Sequence, residues 1–254
     1  MSPFLQTALE AASAAQDIIL NYYNGNFAVE LKPDQSPVTI ADVEAEQAIR
    51  QIILERFPDH GFFGEETGKV NADAEYNWLI DPIDGTKSFV RRYPMFSTQI
   101  ALMKGNELIM GVSNAPAFGE LAYAEQGQGA FLNGKPIKTS GYTDLSQAAL
   151  STGNIASLAA NPAQWQALGG IIRDVQRIRG YGDFFHYHLL ASGKVDVVVE
   201  SDVNILDVAA LSVIVNEAGG VFTDLNGKPL NLATTSVLAA ASAELHATVR
   251  GRLK

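Results

Sequence analysis

Two aspartates flank a proline turn at the end of an apolar segment, in the run WLIDPIDGT at residues 78–86. Asp81 and Asp84 therefore lie at the end of a predicted strand, where open sheets commonly place their ligand sites. Hard divalent cations such as Mg²⁺ take oxygen ligands, and the two carboxylates together with the Ile83 carbonyl offer three of them. The run predicts a divalent-cation site, which a second metal ion could share.

The residues that follow this turn could bind an anion. Gly85 and Thr86 begin a predicted short helix, whose first backbone N–H groups have no partner within the helix and could hold a phosphate. Asp-Pro and Asp-Gly are also common turn dipeptides, so turn formation explains each pair when it is taken alone. Their joint occurrence behind an apolar strand favours a combined metal and phosphate site.

Other carboxylates occur at comparable positions, beside an apolar run or at the start of a predicted helix. Glu65 follows a short apolar run, Asp42 lies in the first turn of the second predicted helix, and Asp207 opens an apolar helix. A solvated turn or the helix dipole explains each of them in isolation. An unpaired carboxylate among apolar neighbours is costly, however, and a bound metal would compensate for this cost at Asp207.

Competing catalytic motifs have the wrong spacing or are missing. Asp81 and Asp84 form a D-x-x-D pair, whereas the aspartyl-phosphate phosphatases need D-x-D. The sequence contains no P-loop, HExxH or GxSxG motif. The side chains of His186 and His188 would point to different sides of a helix, so structural or surface roles are predicted for both.

The composition restricts the partners and the compartment. The 254 residues include 28 Asp and Glu against 18 Lys and Arg, a net charge of −10 without a basic block. This charge argues against nucleic acid and anionic membranes as partners, and a phosphate-bearing substrate would need a local cation. Cys is absent, and no apolar run approaches the ~20 residues of a membrane helix, so a cytoplasmic protein without membrane insertion is expected.

The apolar spacing predicts the elements that position these residues. Residues 4–23 have helical periodicity, and a second helix is predicted from Thr39 to a stop at Pro58. Short apolar segments over residues 78–131 predict antiparallel strands, and strands alternate with helices beyond residue 145. An α+β layered fold follows.

A boundary near residue 140 separates these two patterns within one compact catalytic unit. The N-terminal half, residues 1–140, carries the predicted metal-binding loops. The C-terminal half, residues 141–254, carries predicted substrate-binding residues.

Three motifs, in this order, resemble those of the inositol monophosphatase superfamily: Gly64-Glu65-Glu66, Asp81-Pro82-Ile83-Asp84-Gly85-Thr86 and Asp207-Val208-Ala209-Ala210. The resemblance extends over nearly the whole chain. It implies a layered αβαβα sandwich of the inositol monophosphatase and fructose-1,6-bisphosphatase type, usually a homodimer. It also implies that an activated water hydrolyses a small phosphorylated metabolite with the help of two or three Mg²⁺ ions.

The resemblance implies roles for individual residues. The implied metal ligands are Glu65, Asp81, the Ile83 carbonyl, Asp84 and Asp207. The implied catalytic residues are Glu65, Asp81, Asp84, Thr86 and Asp42. Asp42 matches the acid near a third metal, and Thr86 helps it to activate the water. The implied substrate contacts are Asp84, Gly85, Thr86, Asp183, Glu200 and Asp207.

The run RGYGD at residues 179–183 resembles the histidinol-phosphatase subgroup, as do residues 33–42 and 57–61. Histidinol phosphate carries an ammonium group, for which Asp183 and Glu200 would supply charge-assisted partners. The predicted reaction is therefore the hydrolysis of histidinol phosphate to histidinol and phosphate.

Alternative functions stay open at this point. One is an inositol monophosphatase or a phosphatase of broad sugar and nucleotide range, with Arg91 and Arg92 favouring a second anionic group on the substrate. A structural Asp183, paired with Arg177 or Arg179, would remove the argument for an ammonium-bearing substrate. A non-catalytic metal-binding regulator is less compatible with the complete set of acids and Thr86.

Overall fold

The computed structural model describes residues 1–25, 28–31 and 37–253. Its helices are α1 (Pro3–Asn24), α2 (Ile40–Arg56), α3 (Thr86–Val90), α4 (Ala156–Ala160), α5 (Pro162–Asp174), α6 (Asp183–Ala191), α7 (Ile205–Glu217) and α8 (Ala243–Leu253), with a 3₁₀ helix at Leu145–Gln147. Its strands are β1 (Val29–Leu31), β2 (Pro37–Thr39), β3 (Gly61–Gly64), β4 (Gly68–Val70), β5 (Tyr76–Asp84), β6 (Ser97–Lys104), β7 (Glu107–Ala115), β8 (Glu120–Glu125), β9 (Ala130–Leu132), β10 (Lys135–Ile137), β11 (Ala149–Thr152), β12 (Arg177–Arg179), β13 (Val197–Ser201), β14 (Val221–Thr223) and β15 (Ser236–Ala240).

The first two helices begin where the sequence provides a cap. The Ser2 hydroxyl accepts a hydrogen bond from the Leu5 amide, and Pro3 occupies the first turn of α1, where no amide hydrogen is needed. Thr39 caps α2 in the same way. Both helices bury apolar side chains at helical spacing against one sheet face, which confirms the two predicted amphipathic helices.

Within the described residues, the strands form two main sheets. The eight-stranded sheet has the order β10-β9-β8-β7-β6-β5-β3-β4, in which only β3 and β5 pair in parallel. The five-stranded sheet has the order β12-β11-β13-β15-β14, in which β11 pairs in parallel with β12 and β13. The antiparallel strands predicted over residues 78–131 are confirmed.

Helices and sheets alternate in five layers. α1 and α2 cover one face of the eight-stranded sheet, while α6 and α7 lie between its other face and the five-stranded sheet. α5 and α8 cover the outer face of the second sheet. Side chains of β13 alternate between the two cores, because Val198 packs in the α7 core whereas Val197 and Val199 pack in the outer one. The predicted αβαβα sandwich is confirmed.

Some features of the chain were not predicted, among them α4 and the parallel pairing of β3 with β5. The change from the first sheet to the second falls between Ile137 and Ala149. The division into functional halves at residue 140 stays a prediction. Residues 33–36 of the segment that resembles the histidinol-phosphatase subgroup lie outside the described residues. Among the helices described, none has the length and apolar character needed to cross a membrane.

Candidate active site

Asp81 and Asp84 reach the same side of the sheet because β5 contains an irregularity between them. On the neighbouring strand β6, Asp81 pairs with Gln99 and Asp84 pairs with Ser97, so three residue steps on β5 match two steps on β6. Without the extra residue, positions three apart on a strand would point to opposite faces. The Ile83 amide donates to Asp81 Oδ1 at 2.9 Å within this irregular stretch, where the sequence predicted a proline turn.

Asp42 and Asp207 each occupy the third position of a helix in a capping box. Asp42 Oδ2 accepts hydrogen bonds from the Thr39 amide at 2.8 Å and from the Thr39 hydroxyl at 2.7 Å, at the start of α2. Asp207 Oδ2 accepts from the Asn204 amide at 2.8 Å, at the start of α7. In both residues one oxygen caps the helix and fixes the side chain, which leaves the other oxygen for the site.

Three carboxylates converge where β5 and α7 meet. One oxygen from each of Asp81, Asp84 and Asp207 lies within 4.8 Å of the other two. Burial and the surrounding negative charges raise the pKa of Asp81 and of Asp84 well above the ordinary value, and burial raises the pKa of Asp207 to about 7. A divalent cation would relieve this repulsion, and carboxylate oxygens are the ligands that Mg²⁺ prefers. The donor set therefore fits the predicted metal site.

Glu65 faces these aspartates from the turn between β3 and β4. Glu65 lines one cleft together with the three aspartates, and its negative charge contributes to the raised pKa of Asp81 and of Asp207. The tight cluster of the three aspartates does not include Glu65 among the described acids. Its position agrees with the predicted role as a metal ligand, and that role stays a prediction.

The Thr86 hydroxyl lies within hydrogen-bonding distance of Asp42 and of the Ile83 carbonyl. Its oxygen is 3.0 Å from the Ile83 carbonyl oxygen and 3.3 Å from Asp42 Oδ1, so its single hydrogen is shared between two acceptors. Gly85 precedes it with φ of 90°, and a Cβ at this position would lie 2.5 Å from the Met95 carbonyl oxygen. Only glycine suits both the conformation and the space, which explains the DGT sequence.

These residues line one cleft of about 250 Å³. Its lining residues are Glu65, Asp81, Ile83, Asp84, Gly85, Thr86, Lys87, Ser88, Asn154, Asp183 and Asp207. Asp42 and Glu200 are not among them and lie behind the lining. Lys87 is the one cationic side chain among these lining residues, and its positive charge acts on Asp183. The cleft thus combines a strongly acidic floor with one lysine.

Asp183 begins α6 and is half-buried in this cleft. Its φ of 46° lies in the left-handed region, which Asp and Asn tolerate better than most residues. Burial and the neighbouring charge of Glu200 raise the pKa of Asp183 to about 6. Salt bridges among the described residues do not include a pair of Asp183 with Arg177 or Arg179. The structural alternative for Asp183 is therefore not supported.

Glu200 is buried and both of its oxygens are already bonded within the chain. Oε1 accepts from the Asn154 amide at 2.9 Å, while Oε2 accepts from the Tyr187 hydroxyl at 2.7 Å and lies 3.2 Å from His186 Nε2. Although burial acts to raise it, these hydrogen bonds hold the pKa of Glu200 below its ordinary value. A direct contact of Glu200 with the substrate stays a prediction.

The two histidines of the H-x-H pair have structural partners, as predicted. His186 lies against Glu200, and His188 lies 2.9 Å from both Ser113 Oγ and Glu120 Oε2 through its two ring nitrogens. Both rings are buried. Burial lowers the pKa of His188, so it is neutral near pH 7.

Arg92 is committed to the end of α1. Its guanidinium donates to the carbonyl oxygens of Tyr22, Tyr23 and Gly25, and the Tyr23 hydroxyl donates in return to the Arg92 carbonyl. These bonds do not support the suggestion that Arg92 serves a second anionic group of the substrate, and that alternative substrate class stays a prediction.

Sequence reasoning missed Asn154 and did not assign a site role to Lys87. Asn154 follows β11, whose parallel pairing brings its carboxyl end to the same edge as the site. The Gly153-Asn154 pair after an apolar strand is a signal of the same kind as the DPIDGT run. Lys87 directly follows that run and could have been named from its position alone.

The sequence model of the inositol monophosphatase family matches residues 1–253. The chain belongs to the inositol monophosphatase family. A histidinol-phosphatase from Chlorobaculum parvum is 39% identical over 229 residues, which cover 90% of this chain and 88% of that protein. A histidinol-phosphatase from Mycobacterium tuberculosis is 36% identical over 229 residues, covering 88% of each chain.

Solved structures agree with this assignment. The structure of an inositol monophosphatase from Anabaena superposes with a TM-score of 0.85 at 32% identity, covering 98% of this chain and 94% of that one. Members of the family are metal-dependent phosphatases, and this chain is a phosphatase of that family. The three-aspartate cluster is a group of acids that could hold a metal ion.

Proposed function

We propose that this chain hydrolyses histidinol phosphate to histidinol and phosphate, with Mg²⁺ as its cofactor. The observation that carries the proposal is the charge distribution of the cleft. The three-aspartate cluster fits a cation that binds phosphate, and Asp183 in the same cleft fits an ammonium group. The two relatives named histidinol-phosphatase support the same substrate.

The residues that would hold Mg²⁺ lie on four separate parts of the fold, namely the turn after β3, strand β5 and the starts of α2 and α7. The proposed ligands are Glu65, Asp81, the Ile83 carbonyl, Asp84 and Asp207, with Asp42 beside a further ion, so that two or three ions bind in all. When bound, the ions would neutralise charge on the phosphoryl oxygens and lower the pKa of a coordinated water. The protein supplies their positions through the β5 irregularity and the two capping boxes.

Thr86 and Asp42 would orient the attacking water. The Thr86 hydrogen is directed to Asp42 Oδ1 or to the Ile83 carbonyl. The lone pairs of the Thr86 oxygen are then free to accept a hydrogen bond from a water molecule. Asp42 holds the hydroxyl in this orientation, because its other oxygen is fixed by Thr39.

Asp183 and Lys87 would recognise opposite charges on the substrate. The Asp183 carboxylate is half-buried and has no salt bridge to an arginine among the described residues, so it is available for an ammonium group. Lys87 is exposed at the start of α3 and supplies positive charge to the phosphate. A neutral cyclitol phosphate would use Lys87 and leave the Asp183 charge uncompensated.

Turnover measured over a panel of phosphate esters tests the substrate. We expect kcat/KM to be highest for histidinol phosphate and lower for inositol 1-phosphate and sugar bisphosphates. The second candidate is inositol phosphate, which the likeness to the Anabaena enzyme favours. A preference for inositol 1-phosphate would overturn the histidinol phosphate proposal and leave the metal-dependent chemistry in place.

Replacing Asp183 by asparagine tests the ammonium contact. Asparagine tolerates the positive φ, so the backbone is preserved while the charge is lost. Losing a hydrogen bond to a charged group costs roughly 1.5–3 kcal/mol, or about 10- to 150-fold in kcat/KM for histidinol phosphate. Steady-state kinetics should show little change for an ester without an amine, and Asp73→Asn at an exposed position provides the matched control. An equal loss with both esters would assign Asp183 a structural role.

The stabilisation by Mg²⁺ is expected to increase with pH. Asp81, Asp84 and Asp207 have raised pKa values in the folded state, so these three carboxyl groups bind more protons in the metal-free fold than in the unfolded chain. Their contribution to stability is therefore greatest in acid and falls as pH rises through their folded pKa values, which is about 7 for Asp207. Mg²⁺ binds the ionised carboxylates, so the difference in Tm between Mg²⁺ and EDTA should be larger at about pH 8 than at about pH 5.5. Equal differences at both pH values would contradict this linkage.

Two further expectations belong to the proposal. We propose that the chain forms a homodimer and acts in the cytoplasm on a small phosphorylated metabolite, without nucleic acid or membrane partners. Sedimentation analysis would measure the first of these, and fractionation of cells would measure the second.

A further inference from the structure

Glu46 is a fully buried acid that the proposed chemistry does not use. It lies on α2, one helical turn after Asp42, with none of its surface exposed. Its Oε2 accepts a hydrogen bond from the Glu66 amide at 2.8 Å, and its Oε1 accepts one from the Thr67 amide at 2.7 Å. A buried carboxylate that receives one amide on each oxygen is held in a single orientation.

The two amides belong to the turn that carries Glu65. β3 and β4 pair up to Gly64 opposite Gly68, so residues 65–67 form the whole connection between them. On the other side, the Glu65 amide donates to the Ile80 carbonyl of β5 at 3.2 Å. The backbone around Glu65 is thus bonded to the strand that carries Asp81 and to the helix that carries Asp42.

Gly64 allows this close approach. A Cβ at this position would overlap the Glu46 carboxylate, so a side chain at residue 64 would displace either the turn or α2. The glycine of the GEE motif is therefore required by its contact with the Glu46 carboxylate on α2. A larger side chain at residue 64 and a displaced carboxylate at residue 46 would therefore both disturb this contact.

We propose that Glu46 is a positioning residue, which fixes the turn 65–67 so that the Glu65 carboxylate faces Asp81, Asp84 and Asp207 at the divalent-cation site. This inference rests on the proposed metal dependence. An exposed three-residue connection without this anchor would sample several conformations and present Glu65 to the cation only part of the time. Groups that orient metal ligands commonly change metal affinity or activity by about 10- to 100-fold when they are replaced.

Glu46→Gln tests this role. The amide group keeps the shape but has one acceptor oxygen, so its NH₂ would face one of the two turn amides. We expect the dissociation constant for Mn²⁺, measured by the electron paramagnetic resonance of free Mn²⁺, to rise about 10- to 100-fold. Glu55→Gln is the matched control, because Glu55 is an exposed acid on the same helix. It should bind Mn²⁺ as the wild type does.

Glu46→Asp separates positioning from long-range charge. It keeps the negative charge but withdraws the carboxylate by one methylene group, so it should also weaken Mn²⁺ binding. Wild-type affinity in Glu46→Gln would overturn the proposal, and so would wild-type affinity in Glu46→Asp. If neither variant folds, amide hydrogen exchange in the wild-type protein tests the proposal instead. The proposal requires that the Glu66 and Thr67 amides are protected from exchange, and rapid exchange at these amides would overturn it. A wild-type protein that binds no Mn²⁺ would instead refute the proposed metal dependence itself.

Discussion

Asp84→Asn is expected to lower kcat/KM for the phosphate ester by about 10³-fold, because a neutral amide cannot hold the cation charge that stabilises the transition state. The fold should persist. Burial and the charges of Asp183 and Asp207 raise the pKa of Asp84, so removing its charge relieves repulsion in the metal-free protein. The Tm of the variant in EDTA should therefore equal or exceed that of the wild type, while steady-state kinetics with Mg²⁺ show the loss.

The combination of lost activity and retained stability is the informative result. Asp73→Asn, an exposed change outside the cleft, should leave both quantities as they are in the wild type. Turnover at the wild-type rate in Asp84→Asn would refute the metal mechanism, as would full activity of the wild type after exhaustive chelation. A large fall of Tm in EDTA would show that Asp84 acts mainly in folding.

The run at residues 78–86 predicts its own local structure, because an apolar strand, a proline and a glycine are short-range signals. The structure confirms the strand, but the predicted proline turn is wrong, because β5 continues through Pro82 to Asp84 with an irregularity in its pairing. It also shows a shift in the pairing of β5 with β6, which brings Asp84 to the same face as Asp81 and which the run itself does not predict. That shift depends on the partner strand, so the spacing D-x-x-D alone could not show that both carboxylates share a face.

The acids at helix starts illustrate a second limit of the sequence. Their first-turn positions follow from local spacing, and the capping boxes at Asp42 and Asp207 confirm them. Capping and site formation looked like alternatives in the sequence, but each carboxylate has two oxygens and serves both purposes. The packing of the layers brings the starts of α2 and α7 to the same site. In the sequence, only the family resemblance indicated this proximity.

The residues that the sequence did not indicate are those whose role depends on distant contacts. Glu46 looks like an ordinary helix acid until the turn 65–67 is placed beside it. Arg92 likewise follows the metal-binding run in the sequence, whereas its guanidinium donates to carbonyl oxygens at the distant end of α1. Charged residues of this kind have no periodic or motif signal, so their partners can be found only from the three-dimensional structure.

Thr86→Ala is expected to lower kcat by about 10²-fold or more and to change KM little, because a hydroxyl that orients the attacking water acts mainly in the transition state. The Thr86 oxygen lies 3.3 Å from Asp42 Oδ1 and 3.0 Å from the Ile83 carbonyl oxygen. Its loss removes the link between Asp42 and the cleft. Thr86→Ser keeps the hydroxyl and should retain kcat within about tenfold, as measured by steady-state kinetics at saturating Mg²⁺. An unchanged kcat in Thr86→Ala would reduce Thr86 to a residue that begins α3, and a loss confined to KM would place it in ground-state binding of the phosphate.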